Sequence, residues 1–71
     1  MEKYDLRSIH RISFFEKITH AHVKKFFIDK RGQLVFIVEE GQAGKALGRS
    51  GMNIQKLQRL LKKRIRVVEF N

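Results

Sequence analysis

The sequence predicts an α+β domain with the element order helix, strand, strand, helix, helix, strand. Three observations carry that expectation. Leu6, Ile9, Ile12, Phe15 and Ile18 recur every three residues, the spacing of a buried helix face. Residues 23–29 and 34–38 are rich in β-branched and aromatic side chains and flank the turn sequence Asp29-Lys30-Arg31-Gly32, the pattern of a hairpin. Gly48-Arg49-Ser50-Gly51 then separates two segments that read as helix, ahead of a last apolar run at residues 65–70.

The first helix is expected over residues 5–19, with Asp5 as its cap. Phe14 flanks the apolar stripe, and at this spacing Phe14 and Phe15 read as core. Ser13-Phe14-Phe15-Glu16 has the form of a capping box, so a break or restart is expected near Ser13. Residues 23–29 form the first strand, and Gly32 occupies the turn position that favours positive φ. Leu34–Val38 is an unbroken apolar run, which reads as a strand buried on both faces. Gly41-Gln42-Ala43-Gly44 reads as a loop, and Ala43–Leu47 as a short helix ending at Gly48. In the next helix, residues 53–63, Ile54, Leu57, Leu60 and Leu61 make an apolar face. Lys56, Arg59, Lys62 and Lys63 occupy its other face. Residues 65–70 end the chain as a strand.

The 71 residues suffice for one domain, read as 1–71. A chain this short buries only about 60% of the surface its unfolded form exposes, which leaves little room for a deep catalytic pocket. Cysteine is absent, so disulfides and thiolate metal sites are excluded. No apolar run approaches the roughly 18 residues of a membrane span. The first residues lack a basic-then-apolar leader. The expectation is a soluble, cytoplasmic protein.

Charge is distributed unevenly. Between residues 41 and 68 stand eight basic side chains (Lys45, Arg49, Lys56, Arg59, Lys62, Lys63, Arg64, Arg66) and no acidic one. Residues 1–40 hold eight basic and six acidic side chains, so the net charge of +9 lies almost wholly around and after the glycine turn. Clustered positive charge on a small domain is the footprint of a nucleic-acid binder. The turn itself is suited to phosphate. Its glycines permit a tight bend and close approach, Arg49 supplies a cation, and the first amides of the next helix carry the positive end of its dipole.

The element order, with Gly-x-x-Gly between the fourth and fifth elements, resembles a type II KH domain. Arg11 to Thr19, Val35-Phe36-Ile37-Val38, Gly44 to Ile54 and Val67-Val68-Glu69-Phe70 are similar to the archaeal NusA-like KH proteins. The resemblance implies a three-stranded mixed sheet with helices packed on one face. It also implies single-stranded RNA as partner, about four nucleotides of it, with the Gly-x-x-Gly loop against the backbone. On that resemblance Gly48 and Gly51 admit the sugar-phosphate chain, and Arg49 and Ser50 contact phosphate. Lys45 and Lys56 flank the groove, while Ala46, Leu47 and Ile54 form an apolar floor beneath the bases. Asn53 completes the motif. Sequence selectivity is expected to be modest, since charge supplies most of the affinity.

Two departures bear on the setting. The family usually carries two KH units in tandem, and one is present in these residues. Lys45 stands where an aliphatic residue is expected. Both fit a ribosomal or ribosome-associated protein on ribosomal RNA at least as well as a NusA-like transcription elongation or termination factor near RNA polymerase. Lys24, Lys25, Lys30 and Arg31, on or near the hairpin tip, read as a solvated edge, with a second RNA contact as the competing use.

Enzymatic candidates are poor. His10, His20 and His22 are the only histidines, and without a recognisable zinc spacing they read as surface residues. Glu39-Glu40 reads as a solvated pair. No catalytic residue, metal, cofactor or small-molecule substrate is expected. A third class, a protein-interaction module using residues 54–63 against an acidic partner, shares the same charge pattern.

Overall fold

The computed structural model describes residues 5–71. Helix α1 spans Leu6–Thr19, strands β1 and β2 span Val23–Ile28 and Leu34–Val38, and helix α2 spans Ala43–Leu47. A single 3-10 turn, Arg49–Gly51, leads into helix α3 at Met52–Leu61, and strand β3 follows at Ile65–Glu69. The expected α+β order is therefore observed. The strands lie in the order β1-β2-β3. β1 pairs antiparallel with β2, and β2 pairs parallel with β3, so the sheet is mixed.

Asp5 caps α1 as expected, its carboxylate accepting from Ser8 N–H at 2.8 Å. The helix does not break at Ser13. The capping-box pattern there is unused, because Glu16 is engaged elsewhere. Its Oε2 accepts from Val23 N–H at 2.8 Å and lies 3.5 Å from His22 Nδ1. That side chain ties the end of α1 to the start of β1. His20 ends the helix in the left-handed region and donates its N–H to Glu16 O. Thr19, buried there, donates to Phe15 O at 2.8 Å and accepts from Ala21 N–H at 3.1 Å.

The core lies between the helices and one face of the sheet. Phe15, Phe26, Leu34, Phe36, Val38, Ala46, Leu57 and Ile65 are buried in one cluster. Phe15 stacks on Phe36 with centroids 4.1 Å apart and planes 11° apart. Phe26 meets the same ring at 4.9 Å. Aromatic pairs at such separations add to what burial alone contributes. Phe14 packs against the cluster from its margin, so both aromatics serve the core.

The apolar stripes are only partly covered. Leu6, 73% exposed, and Ile9 project beyond the sheet at the start of α1, and Leu60 is exposed on α3. Three strands support a core shorter than a 14-residue helix, and period alone does not reveal where the neighbours stop. β2 has four of its five residues buried and Ile37 half-buried, because as the middle strand it is shielded by its neighbours even on the face that no helix covers. Its second face carries Val35, paired with Phe27 and Arg66 on the flanking strands.

Candidate nucleic-acid interface

Two hydrogen bonds tie the start of α2 to the residue before β1 and to the end of β3. Gln42 Oε1 accepts from His22 N–H at 2.6 Å, and Glu69 Oε1 accepts from Ala43 N–H at 3.2 Å. The helix ends where Gly48 donates its N–H to Gly44 O at 3.0 Å. Gly48 then adopts φ 77°, ψ 175°, a region nearly exclusive to glycine. Ser50 (φ 54°) and Gly51 (φ 72°) are left-handed as well. Three positive φ values in four residues turn the chain from α2 into α3.

The two glycines do different work. A Cβ built on Gly48 would lie 2.8 Å from Asn53 Cγ and Nδ2. Asn53 fills that space because its amide reaches back across the turn and donates to Lys45 O at 3.2 Å. Gly48 thus lets α3 dock on the end of α2. Gly51 has nothing within 4 Å of its would-be Cβ. Only there does the missing side chain leave open space for a ligand.

Gly51 N–H donates to Gly48 O at 3.2 Å, and Met52 N–H to Arg49 O. The turn therefore consumes two of the amides expected to be bare. The N–H groups of Arg49 and Ser50 have no partner among the described residues, and both side chains are exposed. α3 begins at Gly51 without a side-chain cap, so its N-terminal dipole is not offset by any local carboxylate.

The remaining expected site residues divide. Lys56 is exposed on α3, one turn past the bend. Lys45 is exposed, and its ammonium lies 3.5 Å from His20 O. Leu47 is 43% exposed beside the turn, and Ile54 is half-buried against the core. Ala46 corrects the expectation of an apolar floor. It is wholly buried, because a five-residue helix lying on the core has one face to offer and Ala46 occupies it. Asn53 serves the turn through its Nδ2–H. Met52, outside the expected set, is 63% exposed directly after Gly51. Its signal in the sequence was weak: a large apolar residue whose same-face successors, Gln55, Lys56 and Arg59, are polar.

Among the described residues no group of three or more His, Asp or Glu side chains could hold a metal ion. No helix among them is long and apolar enough to cross a membrane. Glu39 and Glu40 are exposed.

The family profile of the KH domain matches residues 9–70. Two curated proteins are similar in sequence, both called probable transcription termination protein NusA. That of Methanococcus vannielii is 36% identical over 69 residues, 97% of this chain and 39% of that protein. That of Methanocaldococcus jannaschii is 30% identical over 63 residues, 89% of this chain and 34% of that protein. The crystal structure of APE1850 superposes with a TM-score of 0.87 at 38% identity, covering 96% of this chain and 50% of that one. This chain thus spans two-fifths or less of the curated relatives and half of the solved one.

Proposed function

The chain belongs to the KH domain family, in its NusA-like form, and on that premise we propose that residues 1–71 act as one RNA-binding unit. The unit grips single-stranded RNA at Gly48-Arg49-Ser50-Gly51 and works by occupancy, without chemistry. One observation carries the reading. The bend presents two unpartnered N–H groups and an exposed guanidinium beside an uncapped helix start, within a stretch of 28 residues that contains no acid. Amides and a planar guanidinium match phosphate oxygens in geometry and sign. Lys45 and Lys56 flank the strand, and Gly51 admits its backbone. Leu47, Ile54 and Met52 offer apolar contact to bases. Asn53 and Ala46 act from beneath, by holding the turn in shape.

The RNA is a transcript, and the unit acts in transcription termination or elongation in the cytoplasm. The names of the two curated relatives support that setting. Ribosomal RNA is the competing target, supported by the charge of +9. Crosslinking in cells with sequencing of the attached RNA separates the two.

Replacing Arg49 and Ser50 together by Asp tests the grip. Both are exposed, and Asp tolerates the left-handed backbone at position 50. Losing two charge-assisted contacts of about 1.5–3 kcal/mol each predicts at least a hundredfold weaker binding to a short oligonucleotide. The melting temperature is expected to stay within a few degrees. Unchanged RNA affinity would move the function to a protein contact.

A further inference from the structure

The bend leaves half of the chain's unbalanced charge unexplained. Arg31, Lys62, Lys63 and Arg64 line a cleft of about 470 Å³, completed by Gly32 and Gln33. It lies between the β1–β2 turn and the α3–β3 turn, at the opposite end of α3 from Gly48-Arg49-Ser50-Gly51. Lys30 and Arg66 border a second, adjoining cleft that shares Arg31. We propose that this pole is a second phosphate-binding site, which takes the backbone of the same RNA beyond the nucleotides held at the bend. The proposal rests on the reading of the bend given above.

Four features support it. First, the four cleft cations have no ion-pair partner among the described residues. Asp29 is the one carboxylate at the pole, and it accepts from Arg31 N–H, Gln33 N–H and Gln33 Nε2–H, each at 2.9 Å. It builds the hairpin turn, and of the four cleft cations Arg31 is the one whose charge acts on it. Second, both walls are fixed before any ligand arrives. Gln58 Oε1 accepts from Ile65 N–H at 3.0 Å, and Leu34 N–H donates to Arg64 O at 2.8 Å. Pre-ordered walls lower the entropic cost of binding.

Third, Lys62 ends α3 in the left-handed region, φ 55°, ψ 37°. Glycine is the unstrained residue for that position. A lysine stands there instead, which keeps a cation at the lip of the cleft. Fourth, the two sites are connected. Lys56 and Arg59 stand at i and i+3 of α3, neighbours on one helix face. They lie along α3 between the bend and the pole, and no acid stands between residues 41 and 68.

The test compares RNAs of two lengths on the triple variant R31Q/K63Q/R64Q, with R49D/S50D in parallel. One RNA has about four nucleotides, enough for the bend. The other has roughly twelve, enough to run along α3 and past it. The pole variant is expected to bind the short RNA within twofold of wild type. It should bind the long one at least tenfold more weakly, with a salt slope shallower by about 2 for three lost phosphate contacts. Equal loss on both RNAs, or loss on neither, overturns the second site. If R49D/S50D leaves short-RNA binding intact, the bend reading fails on its own, and the long RNA still judges the pole. Backbone amide shifts of residues 31–33 and 62–64 in wild-type protein give a readout independent of variant folding. Shifts there with the long RNA and not the short one are expected; no shift with either overturns the proposal.

Discussion

Replacing Gly48 by Ala probes the joint on which the candidate site is built. The new Cβ would approach Asn53 Cγ and Nδ2 to 2.8 Å and Asn53 N to 3.1 Å. Asn53 cannot move aside without losing its bond to Lys45 O. The backbone at φ 77°, ψ 175° is itself a region that alanine avoids, at about 1–3 kcal/mol. Adding about 1 kcal/mol for the exposed hydrogen bond gives roughly 2–4 kcal/mol. A domain of this size has about 4–10 kcal/mol in total, from about 0.05–0.15 kcal/mol per residue. The melting temperature should therefore fall by roughly 10–25 °C. The assay is thermal melting by circular dichroism on G48A, N53A and the double variant. In the N53A background the side-chain collision is gone, so adding G48A should destabilise by about 1 kcal/mol less than it does in wild type. Equal penalties in the two backgrounds, or a G48A shift under 3 °C, would refute the claim that Asn53 and Gly48 share one space.

Gly51→Ala should behave differently. Its Cβ meets open space, so stability falls only by the left-handed penalty of about 1–2 kcal/mol, read by the same melts. Its affinity for short RNA should drop more than its stability explains, measured by fluorescence anisotropy well below the melting temperature. Acid should loosen the start of α1 and the β1–β2 turn. Asp5 has its carboxyl below the ordinary 3.8 because Ser8 N–H donates to it, and Asp29 chiefly because Gln33 N–H does. A carboxylate whose folded pKa is depressed stabilises the fold above its unfolded pKa, and that contribution is lost as pH falls through the folded value. Melting temperature should thus decline below about pH 3.8, and Asp29→Asn should lower the pH 7 value and flatten the decline. An unchanged profile in Asp29→Asn would remove Asp29 from the hairpin's acid response.

Much of the fold was legible because hydrophobic period and turn chemistry are local signals. Leu34–Val38 reads as a strand buried on both faces from its composition alone, and Asp29-Lys30-Arg31-Gly32 as the turn before it. Element ends moved by one or two residues: β1 stops at Ile28, α3 runs Met52–Leu61, and β3 stops at Glu69. The exposure of Leu6, Ile9 and Leu60 was not legible, since it depends on how far the sheet extends beneath each helix. Strand order came from family resemblance, because no period encodes which strand lies between the others.

The site was legible as a place and less so as a set of roles. Gly48, Arg49, Ser50 and Gly51 announce a turn in one dimension. That Gly48 accommodates Asn53 and that Ala46 faces the core are facts of three-dimensional packing. A five-residue helix is too short for its period to show which face is buried. Lys62, Lys63 and Arg64 read as a polar helix face and its continuation. Only the fold brings them beside Arg31, thirty or more positions earlier in the chain.

Titration of isotopically labelled protein with a four-nucleotide single-stranded RNA tests the central claim most directly. The account predicts that the largest amide shifts fall on Arg49, Ser50 and Gly51, with smaller ones on Leu47, Met52 and Lys56. Shifts concentrated on the uncovered sheet face around Phe27 and Val68, with residues 48–51 unmoved, would contradict it.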